Sequence, residues 1–300
     1  MGATVERGTT LFPHELVSDV FNKVTGHSSL AKLAGTTPVS FSGTDIFTFS
    51  LDSEANIVAE SGQKTNGGAT VGSVKIMPVK VEYGARVSDE FLRSSDERQL
   101  NMLSAFADGY AKKIGRAIDI MGMHGMNPRT GALASTIIGT NSLGTNTSVN
   151  SVTYNASTLE NNIIDAIAAI GDYMADGIAM APAFATALAK AKDGNGNRIF
   201  PELGWGQSAS NVRGLRADVN STVSYAVTGQ ATNNALAIVG DFAECFKWGY
   251  AANIPMELIE YGDPDGNGDL KRLNQVFLRA EAYIGWAILD PTAFTVIKSA

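Results

Sequence analysis

The stretch Val87-Ser88-Asp89-Glu90-Phe91-Leu92-Arg93-Ser94-Ser95 leads into a long amphipathic segment that ends at Gly125-Met126-Asn127-Pro128-Arg129-Thr130-Gly131-Ala132-Leu133. Between these two stretches the apolar side chains follow the i, i+3, i+4, i+7 spacing of one helix face: Leu100, Leu103, Phe106, Ala107, Tyr110, Ile114, Ala117, Ile118 and Met121. The spacing predicts a long helix. No residue on it suggests catalysis, so we interpret the helix as a structural element.

Local signals bound this predicted helix at both ends. Ser94 and Glu97 have the spacing of a capping box, which predicts the start of the helix. Gly122 and Gly125 predict its end, because glycine is the residue most often found just after a helix.

The composition indicates a folded chain with a sizeable core. The chain has 300 residues, of which 44% are hydrophobic, enough for one large domain or two smaller ones. No apolar run approaches the roughly 20 residues of a membrane helix, and the first seven residues lack the apolar region of a secretory signal, so we expect no membrane partner. Cys245 is the only cysteine, which excludes a disulfide within the chain.

The charge argues against a dedicated nucleic-acid-binding protein. The net charge is −7, whereas phosphate contacts require clustered Lys and Arg side chains. The densest basic group, Lys112 and Lys113 with Arg116, lies in the predicted helix, and we interpret it as a solvated helix face.

Residues 45–83 read as a long hairpin. The alternating apolar residues of its two strands are Ile46, Phe47, Phe49 and Leu51, then Val74, Ile76, Val79, Val81 and Tyr83. The tip between them is polar and rich in glycine. Because an isolated two-stranded hairpin is marginally stable, we expect it to contact another surface, such as a neighbouring subunit. An ordinary mobile surface loop is the alternative.

The rest of the chain mixes helices and strands. Ser157 and Glu160 predict a capped helix whose apolar stripe runs from Leu159 to Met174 and which ends at Gly177. Pro182 starts a further helix that closes at the turn of residues 193–197. Strands are predicted over residues 236–261 and 276–286 and at the C-terminal end. Without regular strand–helix–strand alternation, the expected class is α+β.

No constellation of residues points to an enzyme or a cofactor. The nucleophile elbow, the Walker loop and the dinucleotide-binding glycine motif are all missing, and the three histidines lack metal-type spacing. Asp263, Asp265, Asn267 and Gly268 match positions 1, 3, 5 and 6 of a calcium loop, but Asn274 stands where the bidentate Glu is needed. We therefore expect a tight turn, with a calcium site as the weaker alternative and no cofactor.

The order of these elements resembles the major capsid proteins of tailed phages, which have the Hong Kong 97 fold. The resemblance covers nearly the whole chain, and no single motif carries it. The matching stretches are Leu11-Phe12-Pro13-His14-Glu15, the hairpin with Ala59-Glu60 near its tip, residues 87–95, Gly125 to Leu133, Leu188 to Gly196, Gly240-Asp241-Phe242 and Asp290-Pro291-Thr292-Ala293-Phe294.

The resemblance implies a division of the α+β chain into the domains of that fold. These would be an N-terminal arm at 1–44, an extended loop at 45–84, a peripheral domain with the spine helix at 85–156, an axial domain at 157–250, further peripheral strands at 251–289 and a closing strand at 290–300.

It also implies a function in shell assembly. Pentamers and hexamers of the chain would form an icosahedral phage capsid around double-stranded DNA, assembled in the bacterial host cytoplasm. The implied partners are the chain itself, a portal, and decoration proteins; since Met1 lies almost at the arm, scaffolding would be a separate protein or absent. The alternatives are an encapsulin-type nanocompartment shell and a soluble hydrolase with an unrecognised carboxylate site.

Some members of the family form isopeptide bonds between subunits. The resemblance places Lys64 at the position of the reacting lysine, Asn274 at that of the asparagine and Glu281 at that of the assisting glutamate. Such a reaction needs a neutral amine and a carboxylate in an apolar setting to take the proton. Many shells of this fold do not cross-link, and the alternative is that Lys64 is a solvated residue of a polar tip.

Overall fold

A computed structural model describes residues 27–51, 53–90, 96–204, 210–226, 234–251 and 256–299, with only the backbone at 96–100. The arm motif at 11–15, Ser94 and the side chain of Glu97 lie outside the described residues. The helices are α1 Ser29–Leu33, α2 Asp96–His124, α3 Leu159–Ala168, α4 Pro182–Lys190 and α5 Phe242–Cys245, with a 3₁₀ turn at Pro291–Ala293. The strands are β1 Thr44–Leu51, β2 Ala69–Ser88, β3 Asn150–Thr153, β4 Gly177–Met180, β5 Asn211–Val212, β6 Leu215–Val219, β7 Ala235–Gly240, β8 Phe246–Tyr250, β9 Met256–Ile259, β10 Gln275–Ile288 and β11 Phe294–Lys298.

Helix α2 is the long helix that the apolar spacing predicts, and it spans 29 residues. The buried residues on its predicted face are Leu103, Ala107, Tyr110, Ile114, Ala117, Ile118 and Met121. The prediction that Gly122 ends the helix is wrong, because α2 continues to His124. Gly125 ends it: its backbone is left-handed at φ 65°, and its amide donates to the Met121 carbonyl at 2.9 Å.

The first sheet packs on α2 and carries the hairpin. Its strand order is β1-β2-β10-β8, with β9 also paired to β10. Strand β2 is 20 residues long: its first part pairs with β1, from Leu51 opposite Ala69, and its second part pairs with β10, from Met77 opposite Trp286 to Ser88 opposite Gln275. The hairpin predicted over 45–83 is thus confirmed for the pairing of residues 44–51 with 69–76, whereas residues 77–83 pair with β10.

The second sheet has the order β3-β11-β7-β4-β6-β5. Its central strands are buried on both faces, as continuous apolar runs of this kind require. Ile178, Val239 and Ile297 pack on the side of α3 and α4, while Ala179 and Ile238 join the core around α2. The α+β class is confirmed by this mixture of sheets and helices.

The predicted helix over 157–177 is shorter than its apolar stripe indicates. Helix α3 begins after Thr158, which makes no side-chain capping bond, so the predicted capping box of Ser157 and Glu160 is wrong. Asn155 organises this turn instead, accepting from the Ser157 amide at 2.9 Å. The helix ends at Ala168, and Met174 is 83% exposed. The helix start at Pro182 is confirmed, as is the turn at residues 193–197.

Candidate functional site

The hairpin of β1 and β2 presents an apolar stripe to solvent. Phe47, Phe49, Leu51 and Val71 are between 66% and 77% exposed. Phe49 lies opposite Val71 and residues two apart share a face of a strand, so the four side chains form one continuous surface. Contiguous exposed apolar surface on a soluble chain marks a contact site. We call these four residues the hairpin stripe.

The described residues 53–68 belong to the tip of the hairpin, which carries Lys64. The tip contains a turn at Ala59, whose carbonyl accepts from the Gly62 amide at 2.8 Å, and Asn56 donates to the Thr65 hydroxyl at 2.9 Å. Lys64 itself is exposed. The lysine is therefore accessible, at the end of a projecting element.

The other two residues of the implied cross-link lie in the first sheet. Asn274 is exposed and left-handed at φ 53°, just before β10, whereas Glu281 lies in the middle of that strand. At the rise of an extended strand, the seven-residue separation corresponds to roughly 23 Å. Glu281 forms an ion pair with Lys80 at 2.8 Å. Within one subunit Asn274 and Glu281 therefore lie far apart, and the Glu281 carboxylate is already paired with Lys80.

The turn predicted at residues 263–269 wraps around the guanidinium of Arg86. This group donates to Asp263 at 3.1 Å, to the Gly268 carbonyl at 2.8 Å and to both carboxylate oxygens of Asp265. Arg86 holds the pKa of Asp265 well below its usual range. Within the described ranges, no three His, Cys, Asp or Glu side chains are grouped as a metal site would need. Asp263 and Asp265 thus accept hydrogen bonds from Arg86, and Asn267 contacts Asp265 within the turn.

A buried carboxylate that the sequence did not reveal joins three parts of the molecule. Asp119 of α2 is fully buried and accepts from the Ser28 hydroxyl at 2.6 Å, from the Ser29 and Leu30 amides at 3.0 Å, and from the Thr222 hydroxyl at 2.5 Å. Burial raises the pKa of Asp119 to about 6, even though these donors favour the ionised form. We call this arrangement the Asp119 joint; it fixes the start of α1 and the loop at 220–222 to the long helix.

Two more side chains of α2 hold the same loop. Arg116 donates to the Ser221 hydroxyl at 2.9 Å, and His124 Nε2 lies 2.8 Å from the Thr222 carbonyl, to which it must donate. Burial lowers the pKa of His124, which keeps the ring neutral. The predicted solvated basic face is correct for Lys112 and Lys113, which are exposed, but Arg116 is half-buried.

A groove of about 890 Å³ lies between β2, α2 and the turn around Arg86. Its charged lining residues are Glu82, Lys113, Arg129, Asp265 and Arg279, and none of the described residues that line it is Ser, Thr, Cys or His. Acid–base catalysis by a pair of carboxyl groups would need both Glu82 and Asp265. Asp265 is bound to Arg86, so Glu82 has no free carboxylate partner among the described lining residues. The groove therefore gives no support to a hydrolase.

Comparison with known proteins identifies the chain. A family model described as the phage capsid family matches residues 8–299. The chain belongs to the phage capsid family. No curated protein sequence matches this capsid protein significantly. None of the described helices is long and apolar enough to span a membrane.

Solved structures support this assignment. A chain from Mycobacterium phage Ogopogo is 36% identical to the capsid protein, with a TM-score of 0.78, over 91% of this chain and 92% of the other. A chain from Gordonia phage Cozz is 27% identical, with a TM-score of 0.73, over 91% and 87%. The capsid of an empty GTA particle shares the fold alone, at 15% identity and a TM-score of 0.66, over 100% and 95%.

These matches confirm the fold and the function that the order of motifs implies. The protein is a major capsid protein of the Hong Kong 97-like fold, it forms the shell of the virion, and its role is structural. Neither the encapsulin-type shell nor the soluble hydrolase is favoured.

Proposed function

We propose that this capsid protein assembles as homo-pentamers and homo-hexamers into a closed icosahedral shell that encloses double-stranded phage DNA. The observation that carries the proposal is the hairpin stripe, an apolar surface on a projecting element that a second copy would cover. The GTA capsid of the same fold was computed with C5 symmetry, which is the symmetry of a pentamer. The net charge of −7 suits a wall that need only tolerate DNA.

The two sheets support a division into two structural regions. In this proposal α2, β9 and β10 belong to the peripheral domain, over residues 85–156 and 251–289, and β4 to β7 with α3 and α4 belong to the axial domain, over residues 157–250. Two strands pair across these bounds, β3 with β11 and β8 with β10. Each region has apolar residues of its own: Leu103 packs with Leu278, whereas Ile163 packs with Phe184 and Leu188. Residues 1–44 would be the arm, 45–84 the extended loop and 290–300 the closing strand.

The remaining partners follow from a shell that is filled with DNA. A portal would occupy one opening of the shell, and separate scaffolding or decoration proteins would bind its inner or outer surface. Assembly would take place in the cytoplasm of the bacterial host. Packaged DNA would touch the wall without base-specific contacts, since the exposed Lys112 and Lys113 lie in a chain whose net charge is −7.

A charge placed on the hairpin stripe tests the proposal. Phe49→Lys should abolish large particles, because it puts an ammonium group into the surface that a second copy would cover. Ser50→Lys is the matched control, since Ser50 is also exposed but lies on the opposite face of the same strand. Size-exclusion chromatography and negative-stain microscopy give the readout, and circular dichroism checks folding. Wild-type particle yield from folded Phe49→Lys would contradict the proposal.

We propose in addition that the subunits are held together without covalent bonds. Glu281, the carboxylate that the resemblance implies, is ion-paired with Lys80 and so lacks the apolar setting that the reaction of Lys64 with Asn274 needs. Denaturing gels of mature particles should show a single monomer band. A ladder of oligomers that disappears in Lys64→Arg would establish the cross-link and contradict this proposal.

A further inference from the structure

The chain contains three Asn-Gly pairs, at Asn66, Asn195 and Asn267. In such a pair, the backbone nitrogen of the glycine can attack the carboxamide carbon of the asparagine side chain. Glycine favours this attack because it has no Cβ to hinder the approach and its backbone rotates freely. The attack also needs a glycine amide that can be reoriented, and the three pairs differ in this respect.

Two of the glycine amides are already engaged in tight turns. The Gly196 amide donates to the Asp193 carbonyl at 3.0 Å, and the Gly268 amide donates to the Asp263 carboxylate at 3.0 Å. Both glycines have left-handed backbones, at φ 84° and 100° respectively. Each hydrogen bond would have to break, and its turn open, before the nitrogen could reach the neighbouring carboxamide.

The third pair, Asn66-Gly67, lies in the hairpin tip and has none of these restraints. Asn66 and Gly67 are exposed and stand between the bonded Thr65 and the first residue of β2. The Gly67 amide makes no hydrogen bond to the chain as far as the structure describes it. Its nitrogen is therefore solvated and free to turn toward the Asn66 side chain.

We propose that Asn66 is a site of spontaneous deamidation. A base from solvent removes the proton of the Gly67 amide, and the nitrogen then forms a bond to Cγ of Asn66. The bond from Cγ to the side-chain nitrogen breaks, and that nitrogen takes up a proton and leaves as ammonia. Water opens the resulting cyclic imide at either carbonyl, which gives an aspartyl or an isoaspartyl residue and involves no oxidation or reduction.

The product changes the charge of the hairpin tip. One carboxylate appears two residues from Lys64, and the isoaspartyl form also lengthens the backbone by one carbon close to the start of β2. If the proposed function holds, this change lies in an element that contacts a second copy. The chemistry itself does not depend on assembly.

Peptide mass spectrometry of the purified full-length chain, incubated at mildly alkaline pH, tests the proposal. The peptide with Asn66 should gain the mass that replaces an amide by an acid, while the peptides with Asn195 and Asn267 stay unchanged. In denaturant the three sites should convert at similar rates, because only the fold distinguishes them. Gly67→Ala should reduce the conversion of Asn66 severalfold, since its methyl group hinders the attack.

Two outcomes would overturn the inference. One is conversion of Asn195 or Asn267 in the native chain as fast as that of Asn66, and the other is an Asn66 that stays intact when the denatured chain converts. Neither outcome depends on particles being formed, so a failure of the proposed shell assembly is distinguishable from a failure here.

Discussion

At the scale of single residues, the Asp119 joint holds a carboxylate that is fully buried. Its carboxylate is shielded from water and has four donors within 3.0 Å, from Ser28, Ser29, Leu30 and Thr222. A buried carboxylate is tolerated only when such donors replace its hydration. The joint therefore stabilises one arrangement of α1, α2 and the loop at 220–222. Burying the Asp119 carboxylate opposes this with a desolvation cost in free energy.

Removing the acceptor at Asp119 should be costly. Asp119→Ala leaves buried donors on Ser28 and Thr222 without a partner and should lower the free energy of unfolding by about 3 kcal/mol. Urea denaturation followed by circular dichroism measures the change. Lys113→Ala is the control, because that side chain is exposed on the same helix, and it should stay within about 0.5 kcal/mol of wild type. A similar loss in both variants would contradict the role of the joint.

The raised pKa of Asp119 also predicts a dependence of stability on pH. Its folded pKa of about 6 lies above its ordinary 3.8, so the folded state holds the proton more tightly than the unfolded state. The contribution is present at low pH and is lost as the pH rises through about 6. Relative to Asp119→Asn, wild type should lose about 1 kcal/mol between about pH 5 and about pH 7. Because His124 is present in both proteins, its effect on the pH dependence cancels in this comparison. Equal pH profiles of the two proteins would therefore contradict the raised pKa of Asp119.

Residue-scale contacts were the least predictable from the sequence. The aspartates at 263 and 265 identify a turn, but Arg86, which fills it, is 177 residues away from Asp263. Asp119 sits among apolar residues of α2 with no motif around it, and its partners come from segments about 90 and 100 residues away. Such long-range pairings depend on the tertiary arrangement, which local sequence signals do not encode.

At the scale of elements, α2 shows that two glycines of one helix can have opposite roles. A Cβ at Gly122 would meet Leu30 Cδ1 at 2.7 Å and Phe246 Cζ at 3.3 Å, whereas a Cβ at Gly109 would meet nothing within 4 Å. Gly122 therefore permits the close approach of α1 and β8, and Gly109 contributes only backbone freedom.

This difference gives a matched pair of variants. Gly109→Ala should raise the free energy of unfolding by about 1 kcal/mol, the usual gain in helix propensity. Gly122→Ala has the same gain but overpacks the core, so it should lower that free energy by about 1–2 kcal/mol. Urea unfolding of both variants measures the two changes. Stabilisation by Gly122→Ala would show that Leu30 moves aside freely.

The elements themselves were largely predictable, since apolar spacing fixes the buried face of α2 and alternation fixes both strands of the hairpin. The errors occurred at element ends. The sequence predicts a helix stop at Gly122, where close packing is the actual reason for glycine. It also predicts a capping box at Ser157, where Asn155 organises the turn. Capping residues and glycines serve several purposes, and only the contacts of the folded chain distinguish them.

At the scale of the whole molecule, the family was predictable because the order of the motifs is preserved along nearly the whole chain. In the isolated subunit the hairpin stripe leaves apolar side chains exposed to solvent. In the part of the chain that the structure describes, the two hairpin strands pair only with each other over residues 44–51 and 69–76, while the rest of β2 is supported by β10 and by the core around α2. Stability should therefore fall along β2 from the sheet toward the tip.

Hydrogen exchange can follow this gradient through assembly. In unassembled subunits the amides of β1 should exchange rapidly, and those of β10 slowly, because only the latter belong to a ladder within the core. In assembled particles the amides of β1 should become protected, since a second copy would cover the hairpin stripe, and β10 serves as the internal control. If β1 exchanged as slowly in subunits as in particles, the hairpin would be stable on its own, and its apolar surface would need another explanation.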